Sequence, residues 1–228
     1  MKKTVLMLAA FCTFLFAGQP VFGATEITEA MISVADVTYT GEAQEPEVTV
    51  VDGETTLVEN TDYTIDSWSD NQNAGTATVT VSGIGDYSGT VQKSFEIKKA
   101  ELADVSVKQK EMLTYNAAPQ SAEVTTGATA VGGQTVAFTY SAEEGGTYTD
   151  AVPSFTDAAT YTVYYRAEAA NHNATDGQFT VTVGNAELAD VSVAQKEMLT
   201  YNAGPQSAEV TTNATAVGEQ PVAFTYSD

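Results

Sequence analysis

An enzyme that relies on its own side chains needs a nucleophile beside a base, a pair of carboxylates in a pocket, or a set of metal ligands. This chain of 228 residues offers one histidine, His172, and one cysteine, Cys12. His172 stands in Asn171-His172-Asn173, a turn-like stretch with no second histidine at zinc-site spacing and no nucleophile nearby. It reads as a structural or exposed residue. No catalytic residue, cofactor-binding residue or metal ligand is assigned from the sequence, and no cofactor is expected.

Three other groupings bear on chemistry. Asp70-Asn71-Gln72-Asn73-Ala74-Gly75 has the outline of a calcium loop, but an EF-hand needs oxygen donors at its fifth and twelfth positions, where Ala74 and Val81 stand. Asp62, Asp66 and Asp70 then read as a solvated rim. Glu143-Glu144-Gly145-Gly146 presents two carboxylates, yet neighbours on a strand face opposite ways and paired glycines mark a turn, so it reads as a hairpin tip. Trp68, Tyr87, Tyr148, Tyr164 and Tyr165 would suit a sugar-stacking platform; tyrosines in sandwiches more often close a core edge or pair across strands. Asn173-Ala174-Thr175 and Asn213-Ala214-Thr215 fit the N-glycosylation triplet.

The elements that would position these residues are strands. In Thr76-Ala77-Thr78-Val79-Thr80-Val81 the apolar residues share one face and the threonines the other, and Phe179-Thr180-Val181-Thr182-Val183 repeats the pattern. Asp52-Gly53 between two such runs predicts a tight hairpin, and glycines at 83, 85 and 89 punctuate the next connection. Residues 100–141 match residues 186–227 at an offset of 86, with 5 differences in 42 positions, so the chain is an array. Two differences carry structural expectations. Gly127 becomes Asn213, which predicts a turn, and Thr135 becomes Pro221, which predicts the start of a strand.

Met1-Lys2-Lys3 followed by an apolar run to Phe16 is the layout of a secretory signal peptide, cleaved after Val21-Phe22-Gly23; this is the only segment that reads as helix. Cys12 lies inside the run after Phe11, a poor context for lipid anchoring. Without Lys2 and Lys3 the exported chain has 7 basic and 30 acidic residues, a net charge of minus 23. Such a surface repels nucleic acid and anionic lipid. It also lacks any cysteine, so core burial and sheet hydrogen bonds must hold it together.

Asp157-Ala158-Ala159-Thr160-Tyr161-Thr162-Val163 resembles the start of an immunoglobulin-type strand, with Val163 where antibody domains carry their second cysteine and Tyr161 as a tyrosine corner. Asn73 to Val79 holds the same place earlier in the chain, with Ala77 instead of the tyrosine. Tyr39-Thr40-Gly41, Asn60-Thr61-Asp62-Tyr63-Thr64, Asn73-Ala74-Gly75-Thr76-Ala77 and Gly83-Ile84-Gly85-Asp86-Tyr87-Ser88-Gly89 together resemble the bacterial Ig-like repeats of the MBG type. In the second repeat His172 takes the place of Tyr87.

The expected fold is all-β: tandem Ig-like β-sandwich modules after an N-terminal signal peptide. The boundaries are 1–23 for the signal, 26–98 for module one, 99–184 for module two, and 185–228 for the first half of a third module repeating module two. The resemblance implies a non-enzymatic extracellular spacer or stalk of a bacterial secreted or cell-surface protein. The alternatives are an adhesin or glycan-binding module, or accessory modules of a secreted carbohydrate-active enzyme whose catalytic domain lies beyond residue 228. Expected partners are other domains of the same longer chain, with a host glycan or host protein as the alternative. Neither nucleic-acid binding nor membrane insertion after signal removal is expected.

Overall fold

A computed structural model of the chain describes residues 23–227, so the expected signal peptide, Gly23 apart, and Cys12 lie outside the described residues. The chain forms two compact units. One takes the residues through Val34, Glu47–Ser69 and Thr78–Ser94, and the other takes Ala35–Pro46, Asp70–Ala77 and Phe95 onward. Among the described residues the elements are strands and three short 3-10 turns, and no helix is long and apolar enough to cross a membrane.

Up to Lys98 the strands are β1 (Thr25–Glu26), β2 (Ile32–Val34), β3 (Val37–Thr38), β4 (Val48–Asp52), β5 (Thr55–Thr56), β6 (Tyr63–Ser69), β7 (Gly75–Gly83), β8 (Tyr87–Ser88) and β9 (Thr90–Lys98). They make a sheet of order β2-β4-β5, a second of order β3-β9-β7-β6, and a short parallel pair of β1 with β8. In the first unit Ile32, Val48 and Val50 from one sheet meet Tyr63, Val79 and Val81 from the other in one core. The period-two alternation of β7 delivers this: Val79 and Val81 are fully buried, and each such valine contributes about 1.5–2 kcal/mol. The Tyr63 hydroxyl crosses the sandwich to donate to the Val48 carbonyl at 3.2 Å. The Asp52-Gly53 hairpin forms as the sequence predicts, with Asp52 opposite Thr55 and Gly53 at φ 58°.

The next strands are β10 (Ala103–Gln109), β11 (Leu113–Thr114), β12 (Gln120–Ser121), β13 (Val124–Thr129), β14 (Ala137–Ser141), β15 (Ser154–Phe155), β16 (Ala159–Glu168) and β17 (Thr175–Gly184). The pairs β10-β13 and β12-β15 face a four-stranded sheet of order β11-β17-β16-β14. Val107 and Ala122 pack there against Tyr140, Val163, Tyr165, Phe179 and Val181. The Gln109 amide ties the layers together: its Nε2 donates to the Thr182 carbonyl at 3.1 Å and its Oε1 accepts from the Thr182 N–H at 2.8 Å, imitating a strand pairing. The chain is all-β, built of Ig-like β-sandwich modules.

Tyr161 opens β16 as the alternation expects. Val163, Tyr165 and Ala167 share its face and are buried, while Thr160 and Thr162 on the other face are exposed. Its hydroxyl donates to the Asp157 carbonyl four residues upstream at 2.9 Å, and its ring stacks on Phe155 at 4.0 Å.

The last strands, β18 (Ala189–Gln195) and β19 (Val210–Thr215), repeat the β10–β13 pairing register. Two expectations change here. Gly127 and Asn213 lie inside β13 and β19, not in turns. The partner strands bulge where Asp104 and Asp190 adopt φ 55° and 54°, and this bulge governs the position facing it. A Cβ on Gly127 would stand 3.0 Å from Ser106 Oγ, and the Asn213 amide donates to the Asp190 carbonyl at 3.2 Å. The strand expected at Thr135 starts two residues later, at Ala137, and its counterpart after Pro221 is not a strand at all. β14 exists by pairing with β16, and residues 221–227 have no such neighbour.

Urea unfolding of residues 24–228 should place Tyr161→Phe about 1 kcal/mol below the parent through the lost hydroxyl bond, and Tyr161→Ala roughly 3 below. Tyr164→Ala, on the opposite face of β16, should cost clearly less than Tyr161→Ala; the reverse order would contradict the facing of the strand.

Candidate functional site: a histidine-centred clasp

His172 is 3 % exposed, so of the two alternatives, structural or exposed, the fold favours the structural one. Its backbone forms a parallel bridge with Ala100, flanked by hydrogen bonds from Ala100 N–H to Asn171 O at 3.0 Å and from Asn173 N–H to Ala100 O at 2.8 Å. Tyr87 holds the same place against β1, where Thr25 N–H bonds to Asp86 O, so the likeness of His172 to Tyr87 is one of position in the fold. A tyrosine there would offer no ring nitrogen.

Both ring nitrogens of His172 are engaged. The Val131 N–H donates to Nε2 at 2.9 Å, which places the proton on Nδ1, and Nδ1 donates to the Ala170 carbonyl at 2.7 Å. Nothing remains on the imidazole for proton transfer. The ring also meets Tyr39 edge to face at 5.7 Å between centroids. Tyr39 is 4 % exposed; its N–H donates to Lys98 O at 2.9 Å and its hydroxyl accepts from Gln134 Nε2 at 3.1 Å. Asn171, at φ 61°, accepts from the Ala74 N–H and donates to Asn73 Oδ1, both at 3.0 Å.

These contacts lie within the second unit, to which the turns Ala35–Pro46 and Asp70–Ala77 belong. The sequence assigns those turns to module one, so the clasp stitches one module's turns to the next module's His172, Val131 and Gln134. The closest approach is backbone on backbone. A Cβ on Gly132, at φ 70°, would stand 2.8 Å from both Gly41 Cα and the Tyr39 hydroxyl oxygen, and one on Gly41, at φ 90°, 2.5 Å from Gly132 Cα. Only glycine fits both the torsion and the space.

The same arrangement recurs one module on. Tyr39 follows the parallel pairing of β3 with β9, and Tyr115 follows that of β11 with β17, its N–H donating to Gly184 O at 2.8 Å. A Cβ on Gly218, at φ 74°, would meet the Ala117 methyl at 2.7 Å and the Tyr115 hydroxyl at 3.0 Å. Sequence reasoning missed Tyr39, Gly132 and Gln134. The available signal was the pairing of a Tyr-x-small turn (Tyr39-Thr40-Gly41, Tyr115-Asn116-Ala117) with a glycine kept across the repeat as Gly132 and Gly218.

The other candidates fall into structural or surface places. The Asp70–Gly75 loop supplies Asn73 and Ala74 to the clasp. Asp62 accepts from Val58 N–H at 2.8 Å, and Asp66 from Thr64 and Ser82 hydroxyls at 3.0 and 2.5 Å. Among the described residues no three His, Cys, Asp or Glu side chains gather as metal ligands. Glu143 and Glu144 sit at a turn closed by Gly146 N–H to Glu143 O. Trp68 and Tyr87 pack on the first core and Tyr165 belongs to the second, leaving Tyr148 and Tyr164 in an open groove of about 450 Å³ with Arg166 and Gln178. There Arg166 grips Asp176 through two bonds of 2.7 and 2.9 Å and lies over the Tyr148 ring at 5.2 Å. Hydrogen bonding from Arg166 holds the Asp176 carboxyl below the usual range despite some desolvation.

No protein-family model matches the chain, and no curated protein matches it. Among solved structures it is similar to protocadherin gamma B7 extracellular cadherin domains 1–4, at 11 % identity and TM-score 0.27, covering 85 % of this chain and 60 % of that one. It is also similar to protocadherin gamma B2 extracellular cadherin domains 1–5, at 14 % identity and TM-score 0.26, covering 86 % and 47 %. The chain thus spans about half the length of these structures. Likenesses of this size carry no argument about its role.

His172→Phe should keep the ring but strip Val131 N–H of its acceptor, lowering stability by about 1–3 kcal/mol in urea melts of residues 24–228. Gly132→Ala should cost about 2 kcal/mol or more from torsion and crowding together, whereas Gly133→Ala, which meets open space at φ 66°, should cost about 1. Equal losses would refute the close approach. For Asp176 the depressed native carboxyl means stability that is present above its unfolded pKa and lost as pH falls through the native one. Asp176→Asn should therefore lower stability by about 0.5 kcal/mol at pH 7, a value set by solvent screening of an exposed pair, and by nothing measurable at pH 2.

Proposed function

We propose that this chain is a non-enzymatic extracellular spacer or stalk, a run of bacterial-type Ig-like modules that holds other domains of a longer secreted or cell-surface protein at a distance. The observation that carries this reading is the clasp. A spacer works by resisting bending at its joints, and here a joint of the sequence is occupied by a buried, fully bonded imidazole and a glycine-on-glycine contact in place of a loose linker. The signal-like start, the net charge of minus 23 and the cysteine-free exported chain support an extracellular, well-solvated setting. The one histidine is spent on structure, which supports the non-enzymatic part of the reading.

Residues 24–228 contain no cysteine, so in that stretch spin labels at Glu45→Cys and Asp150→Cys report specifically across the clasp. A single narrow distance distribution is expected in the parent, broadening at least about twofold with Tyr39→Ala. A distribution already broad in the parent would sink the spacer reading, as would turnover of a glycan, peptide or ester lost on replacing a single carboxylate. The groove of Tyr148 and Tyr164 supports a second reading, a glycan-binding module. A glycan-array signal abolished by Tyr148→Ala and Tyr164→Ala would favour it over the spacer.

A further inference from the structure

The face of β16 and β17 turned away from the core carries a groove whose parts are pinned by hydrogen bonds. Register sets Tyr164 beside Gln178 and Arg166 beside Asp176 on that face. The wall is the 142–149 loop, which is tied down at both ends. Ser141, 5 % exposed, donates from Oγ to the Glu143 carbonyl at 2.9 Å and accepts from the Glu143 N–H at 3.2 Å. Tyr140 and Thr149 exchange backbone bonds of 2.7 and 2.9 Å, which brings Tyr148 over the Arg166 guanidinium. With Glu144 these residues line the open groove of about 450 Å³.

Two features of the groove select a ligand. The rings of Tyr148 and Tyr164 offer apolar surface that suits the C–H face of a pyranose. The second feature is the ion pair. Arg166 spends Nε and Nη2 on Asp176, at 2.7 and 2.9 Å, which leaves Nη1 to donate, while each Asp176 oxygen keeps a lone pair to accept. A donor beside an acceptor matches adjacent sugar hydroxyls, each of which both donates and accepts. A guanidinium already locked by its partner and by the Tyr148 ring loses little side-chain freedom on binding.

Charge decides the kind of sugar. Among the described residues Arg166 is the one cation lining the groove, against the carboxylates of Asp176 and Glu144, and its charge is spent on Asp176. An acidic glycan would meet net negative charge in the groove and on the chain as a whole. We propose that this groove binds a neutral glycan, stacking a pyranose ring on tyrosine and bridging two adjacent hydroxyls with the Arg166–Asp176 pair. The proposal rests on the glycan-binding reading of the groove and adds to it the excluded class, glycans bearing carboxylate or sulfate.

The test is a glycan array probed with residues 24–228, on which neutral glycans of host and of bacterial type stand beside twins bearing a sialic acid, a uronate or a sulfate. The expected signal falls on neutral members, at least about tenfold above their acidic twins, and drops at least about tenfold with Tyr164→Ala or Arg166→Gln. The type that responds, host or bacterial, identifies the source. Asp176→Asn frees the guanidinium and should raise binding of the acidic twins at least about tenfold, a gain that misfolding cannot produce. A parent that prefers acidic twins through Tyr148 and Tyr164 leaves the glycan reading standing and overturns this proposal. So does a neutral preference that Asp176→Asn leaves unchanged. No signal, or one indifferent to both tyrosines, overturns the proposal and the glycan reading together.

Discussion

The hydrogen bond from Val131 N–H to the imidazole of His172 fixes more of this molecule than its size suggests. The bond is half-buried, and the ring can accept it at Nε2 while donating to the Ala170 carbonyl only as the Nδ1–H tautomer. Holding the ring there sets the turn at Asn171, which in turn reaches Asn73 and Ala74. Val131 also begins the 3-10 turn whose Gly132 lies against Gly41 and Tyr39. Three sequence-distant segments thus meet around one side chain, which accepts from Val131 across the chain while its donation to Ala170 holds the shape of its own turn.

Around that point the fold follows from alternation. Strands with threonine outside and valine or tyrosine inside bury one face each, and two such faces close a core without a disulfide. The repeat then makes the requirement visible within one chain. The β10–β13 face is covered by the β16–β17 hairpin and forms a core, while the nearly identical β18–β19 face is uncovered, and the segment after Pro221 is no strand. Strand propensity alone does not produce β14; the pairing with β16 does.

How far the sequence was legible follows from the range of each signal. Periodicity gave β7, β16 and β17 with the correct face inward, because burial on one side is a local pattern. The Asp52-Gly53 turn and the Tyr161 hydroxyl bond, each spanning a few residues, were legible for the same reason. Gly127 and Asn213 misled because the positive φ belongs to Asp104 and Asp190 on the opposite strand. The clasp was least legible. Tyr39, Gly132 and His172 are brought together by tertiary structure, and a histidine between two asparagines looks like a solvated turn until its neighbours across the chain are known.

The proton on Nδ1 and the acceptor at Nε2 of His172 are read directly by nitrogen-15 NMR of the histidine ring in residues 24–228. The expected spectrum has a single slowly exchanging Nδ1–H, an unprotonated Nε2, and a through-hydrogen-bond coupling between Nε2 and the Val131 amide nitrogen. An Nε2–H tautomer, or a mixture of tautomers in fast exchange with water, would mean that His172 does not hold the clasp.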